Sequence, residues 1–243
     1  MPDIVISEFM DQTAVDGLAA DFDVLCDPGL VDRSADLAAV LGEARGLIVR
    51  NRTQVRDALL EAAPSLLVVG RLGVGLDNIN LETCRARDIE VCPATGANDS
   101  AVAEYVIAVA MILLRGSYAA TAEVIEGSWP RRSCIGREIC GKLLGLIGFG
   151  GIARLTAARA RALGMAVAAY DPFVAAADPA WDGVRRLDMT DLLAASDVIS
   201  LHVPLIDGTR GLIGGEAIAA MKKGAILINT SRGGIVDEAA LAT

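Results

Sequence analysis

Aromatic side chains make up only 4% of this 243-residue chain, and histidine occurs once, at position 202. So few rings leave little stacking surface for single-stranded nucleic acid. Acids outnumber bases, giving a formal charge of −9, which argues further against nucleic acid or an anionic membrane as the partner. The longest membrane-like run, residues 105–114, follows Glu104 and is too short to span a bilayer. The opening Met1-Pro2-Asp3 is acidic where a secretory signal would be basic. The five cysteines (Cys26, Cys84, Cys92, Cys134 and Cys140) are odd in number and scattered. They show neither metal-ligand spacing nor a disulfide framework, so no metal site is expected and free thiols in a reducing, cytoplasmic compartment are.

What the chain has is aliphatic residue: 53% is hydrophobic, mostly Ala, Val, Leu and Ile, as buried parallel strands and their covering helices require. Apolar runs at 3–7, 23–26, 46–49, 66–69 and 89–92 have strand lengths. Helical stretches at 34–44, behind a Ser cap, and 53–62, behind a Thr cap, lie between them. This alternation predicts a first parallel α/β lobe over residues 1–97. Asn98-Asp99-Ser100 caps a long helix predicted to reach residue 114 and on to 126. Its apolar residues continue nearly all round, which suggests burial between lobes. The second lobe, residues 98–243, then carries strands at 143–147, 166–170, 197–201 and 225–229. Two doubly wound, Rossmann-like or flavodoxin-like parallel-sheet lobes are the predicted fold.

Residues 143–171 hold the most specific local signal. An apolar strand runs into Gly148-Phe149-Gly150-Gly151-Ile152-Ala153, which opens an Ala/Arg-rich helix, and a second strand ends on Asp171. Gly148 permits the tight turn, Gly150 lets the backbone approach a pyrophosphate, and Ala153 allows close helix–strand packing. The helix N-terminus, from Gly151 and Ile152 on, offers N–H groups to phosphates. Asp171, 23 residues after Gly148, is spaced to accept ribose hydroxyls and to repel a 2′-phosphate. No Arg or Lys adjoins it, so NAD is favoured over NADP.

Further blocks extend over essentially the whole chain: Val49-Arg50-Asn51-Arg52-Thr53, Arg71-Leu72-Gly73-Val74-Gly75-Leu76-Asp77-Asn78, Val102-Ala103-Glu104, Leu201-His202-Val203-Pro204-Leu205, and Asn229-Thr230-Ser231-Arg232-Gly233-Gly234. Together with the fingerprint they resemble the D-isomer-specific 2-hydroxyacid dehydrogenase family, particularly its phosphoglycerate dehydrogenase-like branch. The opening Ile4-Val5-Ile6-Ser7-Glu8-Phe9-Met10 resembles sulfolactate dehydrogenase-type members. The resemblance implies a hydride exchanged between NAD and a 2-hydroxy acid, and a homodimer built on the long helix.

Arg232 sits in a Gly-rich loop just after a predicted strand, where an open α/β sheet binds ligands. A guanidinium there can hold a carboxylate by two parallel hydrogen bonds, and the resemblance implies that catalytic role. Val74 and Gly75 match the family's backbone clamp for the substrate carboxylate, with Gly73 and Gly75 suited to an anion-binding nest. Asp77 and Asn78 are expected to fix that turn. Arg50 and Arg71 match positions that bind a distal anion, and Arg52 alternates with Arg50 along an extended segment. The three either converge on a second phosphate, sulfonate or carboxylate of the substrate, or are solvated surface arginines. His202, Val203, Pro204 and Thr230 match blocks beside the cofactor, a positional role rather than acid–base catalysis for His202. Glu104 is expected to be structural.

The family's acid–base pair, a glutamate and a Pro-His segment, comes after the stretch that ends at Thr243. The chain therefore reads as C-terminally truncated in both lobes, with hydroxy-acid oxidation crippled. A non-catalytic, NAD-binding, corepressor-like protein is the alternative on the same fold. Formate or phosphite oxidation is a third reading, disfavoured by the arginines.

Overall fold

The computed structural model describes residues 1–243. The chain divides into two compact units, Met1–Ala97 and Asn98–Thr243. The first unit alternates strictly: β1 (Ile4–Ile6), α1 (Gln12–Ala19), β2 (Val24–Cys26), α2 (Ser34–Leu41), β3 (Gly46–Val49), α3 (Asp57–Glu61), β4 (Val68–Arg71), α4 (Leu81–Ala86) and β5 (Glu90–Pro93). All strand pairs are parallel, in the order β2-β1-β3-β4-β5. Val5, Leu47, Val49 and Val69 from the strands meet Leu37, Leu41 and Leu60 from the helices in one buried cluster. Each aliphatic side chain so buried contributes roughly 1.5–3 kcal/mol.

Local pattern misplaced three elements here. The strand expected at 66–69 lies two residues later, at Val68–Arg71, because Leu66 closes a turn onto Ala63. The helix expected at 53–62 is only Asp57–Glu61. Val55 instead forms a parallel bridge with Ile79, exchanging hydrogen bonds with Asn78 and Asn80, so a long-range pairing replaces the local helix. Ser34 is the first residue of α2 rather than its cap.

The second unit comprises α5 (Asp99–Arg115), α6 (Thr121–Ile125), β6 (Leu143–Ile147), α7 (Gly151–Ala162), β7 (Ala166–Tyr170), β8 (Arg185–Arg186), α8 (Met189–Ala195), β9 (Val198–Leu201), α9 (Gly215–Ala220), β10 (Ile226–Asn229) and α10 (Glu238–Leu241). Its sheet is also all parallel, in the order β10-β9-β6-β7-β8. The two-residue β8 was not foreseen; it is too short to leave a periodic signal.

The long helix also differs from expectation. Gly116 takes a left-handed conformation and ends α5, so residues 117–125 form a separate 3-10 turn and α6. Only one face of α5 is buried: Val106, Ile107, Ala110 and Leu114 join Ala153, Ala157 and Ala160 of α7 in the core, and Ala103 is buried too. Tyr105, Ile112 and Leu113 remain exposed. A helix apolar all round is thus half core and half surface.

In both sheets the chain starts in the middle and winds outward in two directions. The strand order reverses at β1/β3 in the first unit and at β6/β9 in the second. Loops leaving the carboxyl ends of those strands diverge there, and ligands bind at such points.

Candidate cofactor and substrate site

In the second unit, β6 delivers the glycine loop to the switch point. Gly148 has φ +88° and is so close to β9 that a Cβ would lie 2.6 Å from the His202 carbonyl oxygen. Only glycine meets both demands. Gly150 is exposed, and a Cβ there would have nothing within 4 Å. Gly150 also caps α7 without any side-chain hydrogen bond. The N-terminal N–H groups at Gly151 and Ile152 are therefore not covered by a cap, as an anion-binding helix start requires.

Asp171, at the end of β7, is half-buried. One carboxylate oxygen accepts the Phe149 N–H at 2.8 Å and the other accepts the Phe173 N–H at 2.8 Å. It ties the glycine loop to the neighbouring strand and retains lone pairs for further donors. Phe149 is buried behind the loop, stacked on Trp181 with centroids 4.8 Å apart. Arg154 donates from Nε to the Phe149 carbonyl at 2.9 Å. An open glycine cradle, an uncapped helix start and an acid at the adjacent strand fit a dinucleotide.

His202 follows β9, and its Nε2 lies 2.9 Å from Ser200 Oγ. Burial pushes its imidazole down to about 4, so it is neutral at physiological pH and a poor proton acceptor. Val203 is half-buried and Pro204 exposed in the same loop.

Thr230 and Arg232 follow β10. This loop is self-braced: Asn229 accepts the Ser231 N–H at 3.0 Å and donates to the Arg232 carbonyl at 2.8 Å. Ser231 Oγ donates to the Leu201 carbonyl at 2.8 Å, anchoring the loop to β9. Arg232, half-buried, donates from Nη1 to the Ser231 carbonyl at 2.9 Å. Glu104 links α5 to α7, accepting from Ser100 Oγ at 3.1 Å and Arg159 Nη2 at 3.2 Å.

In the first unit the three arginines do not converge. Arg50 is exposed and lines a groove with Phe9, Met10, Asp11, Ala14 and Leu72. Its guanidinium lies 5.9 Å from the Phe9 ring centre, near enough for a cation–π contact. Arg52 is turned to an ion pair with Asp32 and lines a different groove with Ser34, Gln54 and Arg56. Arg71 is buried; its Nη1 donates to the Leu72 carbonyl at 2.7 Å. That guanidinium occupies the space where a Cβ of Gly73 would stand. Alternation along the strand did not carry over, because the chain turns at Arg50.

The nest expected around Gly73 and Gly75 is altered too, since the Gly73 N–H is spent on the Arg71 carbonyl at 2.8 Å. The Val74 side chain is exposed. Asn78 braces the 50–53 loop rather than its own turn, donating to the carbonyls of Arg50 (3.1 Å) and Thr53 (2.8 Å). Glu8, given no individual role from the sequence, accepts the N–H groups of that same loop. An acid directly after a strand was the only available signal.

A model of the D-isomer specific 2-hydroxyacid dehydrogenase NAD binding domain matches residues 107–243. The chain is 55% identical over 243 residues to the (S)-sulfolactate dehydrogenase of Chromohalobacter salexigens, covering all of this chain and 79% of that protein. It is 42% identical over 242 residues to the D-3-phosphoglycerate dehydrogenase of Mycobacterium tuberculosis, of which it spans 46%. The NAD+-bound 3-phosphoglycerate dehydrogenase of Entamoeba histolytica superposes with a TM-score of 0.81 at 28% identity, over 98% of this chain and 74% of that one.

Asp171→Asn keeps an acceptor but removes the charge, and should improve NADP binding relative to NAD by about tenfold, ~1.4 kcal/mol; fluorescence titration with both cofactors measures it, and an unchanged ratio would refute the ribose assignment. Because the folded His202 titrates below its ordinary 6.5, its neutral burial costs nothing above that pH and destabilises the fold as pH falls from 6.5 towards 4. Urea midpoints should therefore show a loss of about 2 kcal/mol from pH 7 to pH 5 that is absent in His202→Gln.

Proposed function

The chain belongs to the D-isomer specific 2-hydroxyacid dehydrogenase family, and from that premise we propose that it binds NAD and a 2-hydroxy acid bearing a second anionic group. The observation that carries this reading is the pairing of the Gly148–Asp171 cradle with Arg232 on a braced loop of the same sheet. Gly148, Gly150, Gly151, Ile152 and Asp171 would hold the cofactor, with Val203, Pro204 and Thr230 on the adjoining loops. NAD supplies the hydride acceptor for the substrate's second carbon. Arg232 presents a planar fork of donors suited to the substrate carboxylate, and its bracing by Asn229 and Ser231 limits the entropy lost on binding. Arg50, exposed and without a carboxylate partner, is suited to the distal anion. Arg71 supports the loop that carries Val74 and Gly75. Arg52 is assigned no contact with substrate.

We assign the hydroxyl proton to no side chain of residues 1–243. His202 is the wrong group, being neutral, weakly basic and hydrogen-bonded to Ser200. Turnover by this chain that disappears in His202→Ala would reverse that assignment. A non-catalytic NAD-binding role is the second reading; the braced arginine loop favours the dehydrogenase. The substrate is of the 3-sulfolactate or 3-phosphoglycerate type, as in the named relatives.

The test is acid binding to the NAD-loaded protein, comparing sulfolactate, phosphoglycerate, malate and lactate. The distally charged acids should bind more tightly than lactate. Arg232→Lys should weaken all of them by about tenfold or more, as loss of a bidentate charge-assisted contact does; equal binding of lactate and sulfolactate would count against Arg50. Tyr105, Ile112, Leu113, Tyr118, Ile125 and Trp129 of α5 and the following arm are exposed apolar residues, the kind of surface a partner covers. We assign them to a homodimer interface, and sedimentation equilibrium should give twice the 25.2 kDa chain mass; a monomer at micromolar concentration would exclude it.

A further inference from the structure

Glu8 is among the most buried ionisable residues in the protein, with 6% of its surface exposed. It follows β1, at the switch point where β1 and β3 part. Its Oε1 accepts the N–H of Arg50 at 2.8 Å and of Thr53 at 3.0 Å, and its Oε2 accepts the N–H of Arg52 at 3.2 Å. Burial pushes the carboxyl up, and the N–H groups of Thr53, Arg50 and Arg52 together outweigh it, holding the acid below its ordinary range. Three convergent amides at the carboxyl end of a parallel strand are the usual makings of a site for a ligand anion. Here an internal carboxylate fills that nest.

The consequence falls on Arg50. With the loop amides consumed and Arg52 held by Asp32, the cation facing the groove is the Arg50 guanidinium. Its backbone is fixed from both polarities, by Glu8 at its N–H and by Asn78 at its carbonyl. The next residue after Glu8 is Phe9, whose ring lies under the same guanidinium. One short segment thus sets both the backbone and the side-chain support of Arg50.

We propose that Glu8 is a positioning residue for anion recognition: it occupies the loop's own anion nest and aims Arg50 as the sole charged contact for the distal group of the acid. This rests on the reading of Arg50 given above. The alternative is that Glu8 merely stabilises the loop, and the two differ in whether its effect needs Arg50. A double-mutant cycle separates them. Sulfolactate and lactate binding to the NAD-loaded protein is measured for wild type, Glu8→Gln, Arg50→Ala and the double variant, with Glu8→Asp as the charge-retaining control. Thermal melts verify that each is folded.

Arg50→Ala should abolish the preference for sulfolactate over lactate. Glu8→Gln should reduce that preference by about tenfold, in line with misalignment of a charged hydrogen bond, and Glu8→Asp should restore part of it. In the Arg50→Ala background, Glu8→Gln should change the ratio less than about twofold. A Glu8→Gln ratio equal to wild type, or an equal loss in both backgrounds, overturns the positioning role. A preference that survives Arg50→Ala overturns instead the reading of Arg50, and the Glu8 proposal with it. Should Glu8→Gln fail to fold, the Glu8→Asp ratio alone decides, with an unchanged preference counting against the proposal.

Discussion

Both units depend on the same constraint. A parallel sheet wound in two directions from a central strand must part its loops where the direction reverses. In the second unit this separates the β6 loop from the β9 loop just enough for Gly148 to pack on the His202 carbonyl, with no room for a side chain. In the first it separates the β1 end from the β3 end, and Glu8 spans the gap by hydrogen bonds to Arg50, Arg52 and Thr53. At these two places the backbone has polar groups that the sheet does not use.

The two switch points satisfy those groups in opposite ways. The glycine loop leaves the start of α7 uncapped and open, with its acid, Asp171, set to one side on the next strand. The first unit closes its amides with Glu8 and leaves a side chain, Arg50, to face outward. An open backbone nest suits a pyrophosphate held by several N–H groups. A closed nest with a projecting guanidinium suits a compact anion held at a distance from the chain. Arg232 is a third solution, a side chain on a loop whose own polar groups are satisfied by Asn229 and Ser231.

Much of this was legible beforehand because it is local. The strands at Gly46–Val49, Leu143–Ile147 and Ala166–Tyr170 have the boundaries their apolar runs predict, since a strand buried on both faces needs continuous aliphatic residue. What misled was local pattern overruled by distant partners. Residues 53–56 look helical, yet Val55 pairs with Ile79 and Thr53 turns inward to Glu8 and Ser7. Residues 99–126 look like one helix, yet Gly116 reverses the backbone. Arg50 and Arg52 look paired by spacing, yet Asp32 draws one of them to another groove.

The sequence by itself determined the two parallel α/β lobes, the cofactor fingerprint with its acid at Asp171, and the arginine after the last strand. Each depends on spacing along one short segment, and spacing is what a sequence records. Only the tertiary structure decided which charges remain available. Arg71 folds under its loop, Arg52 finds Asp32, His202 loses its proton to burial, and Glu8 takes the amides beside Arg50. The pairing of Arg52 with Asp32 and of Glu8 with the Arg50 loop joins residues tens of positions apart, and in all four cases desolvation and hydrogen-bond partners are set by packing rather than by order along the chain.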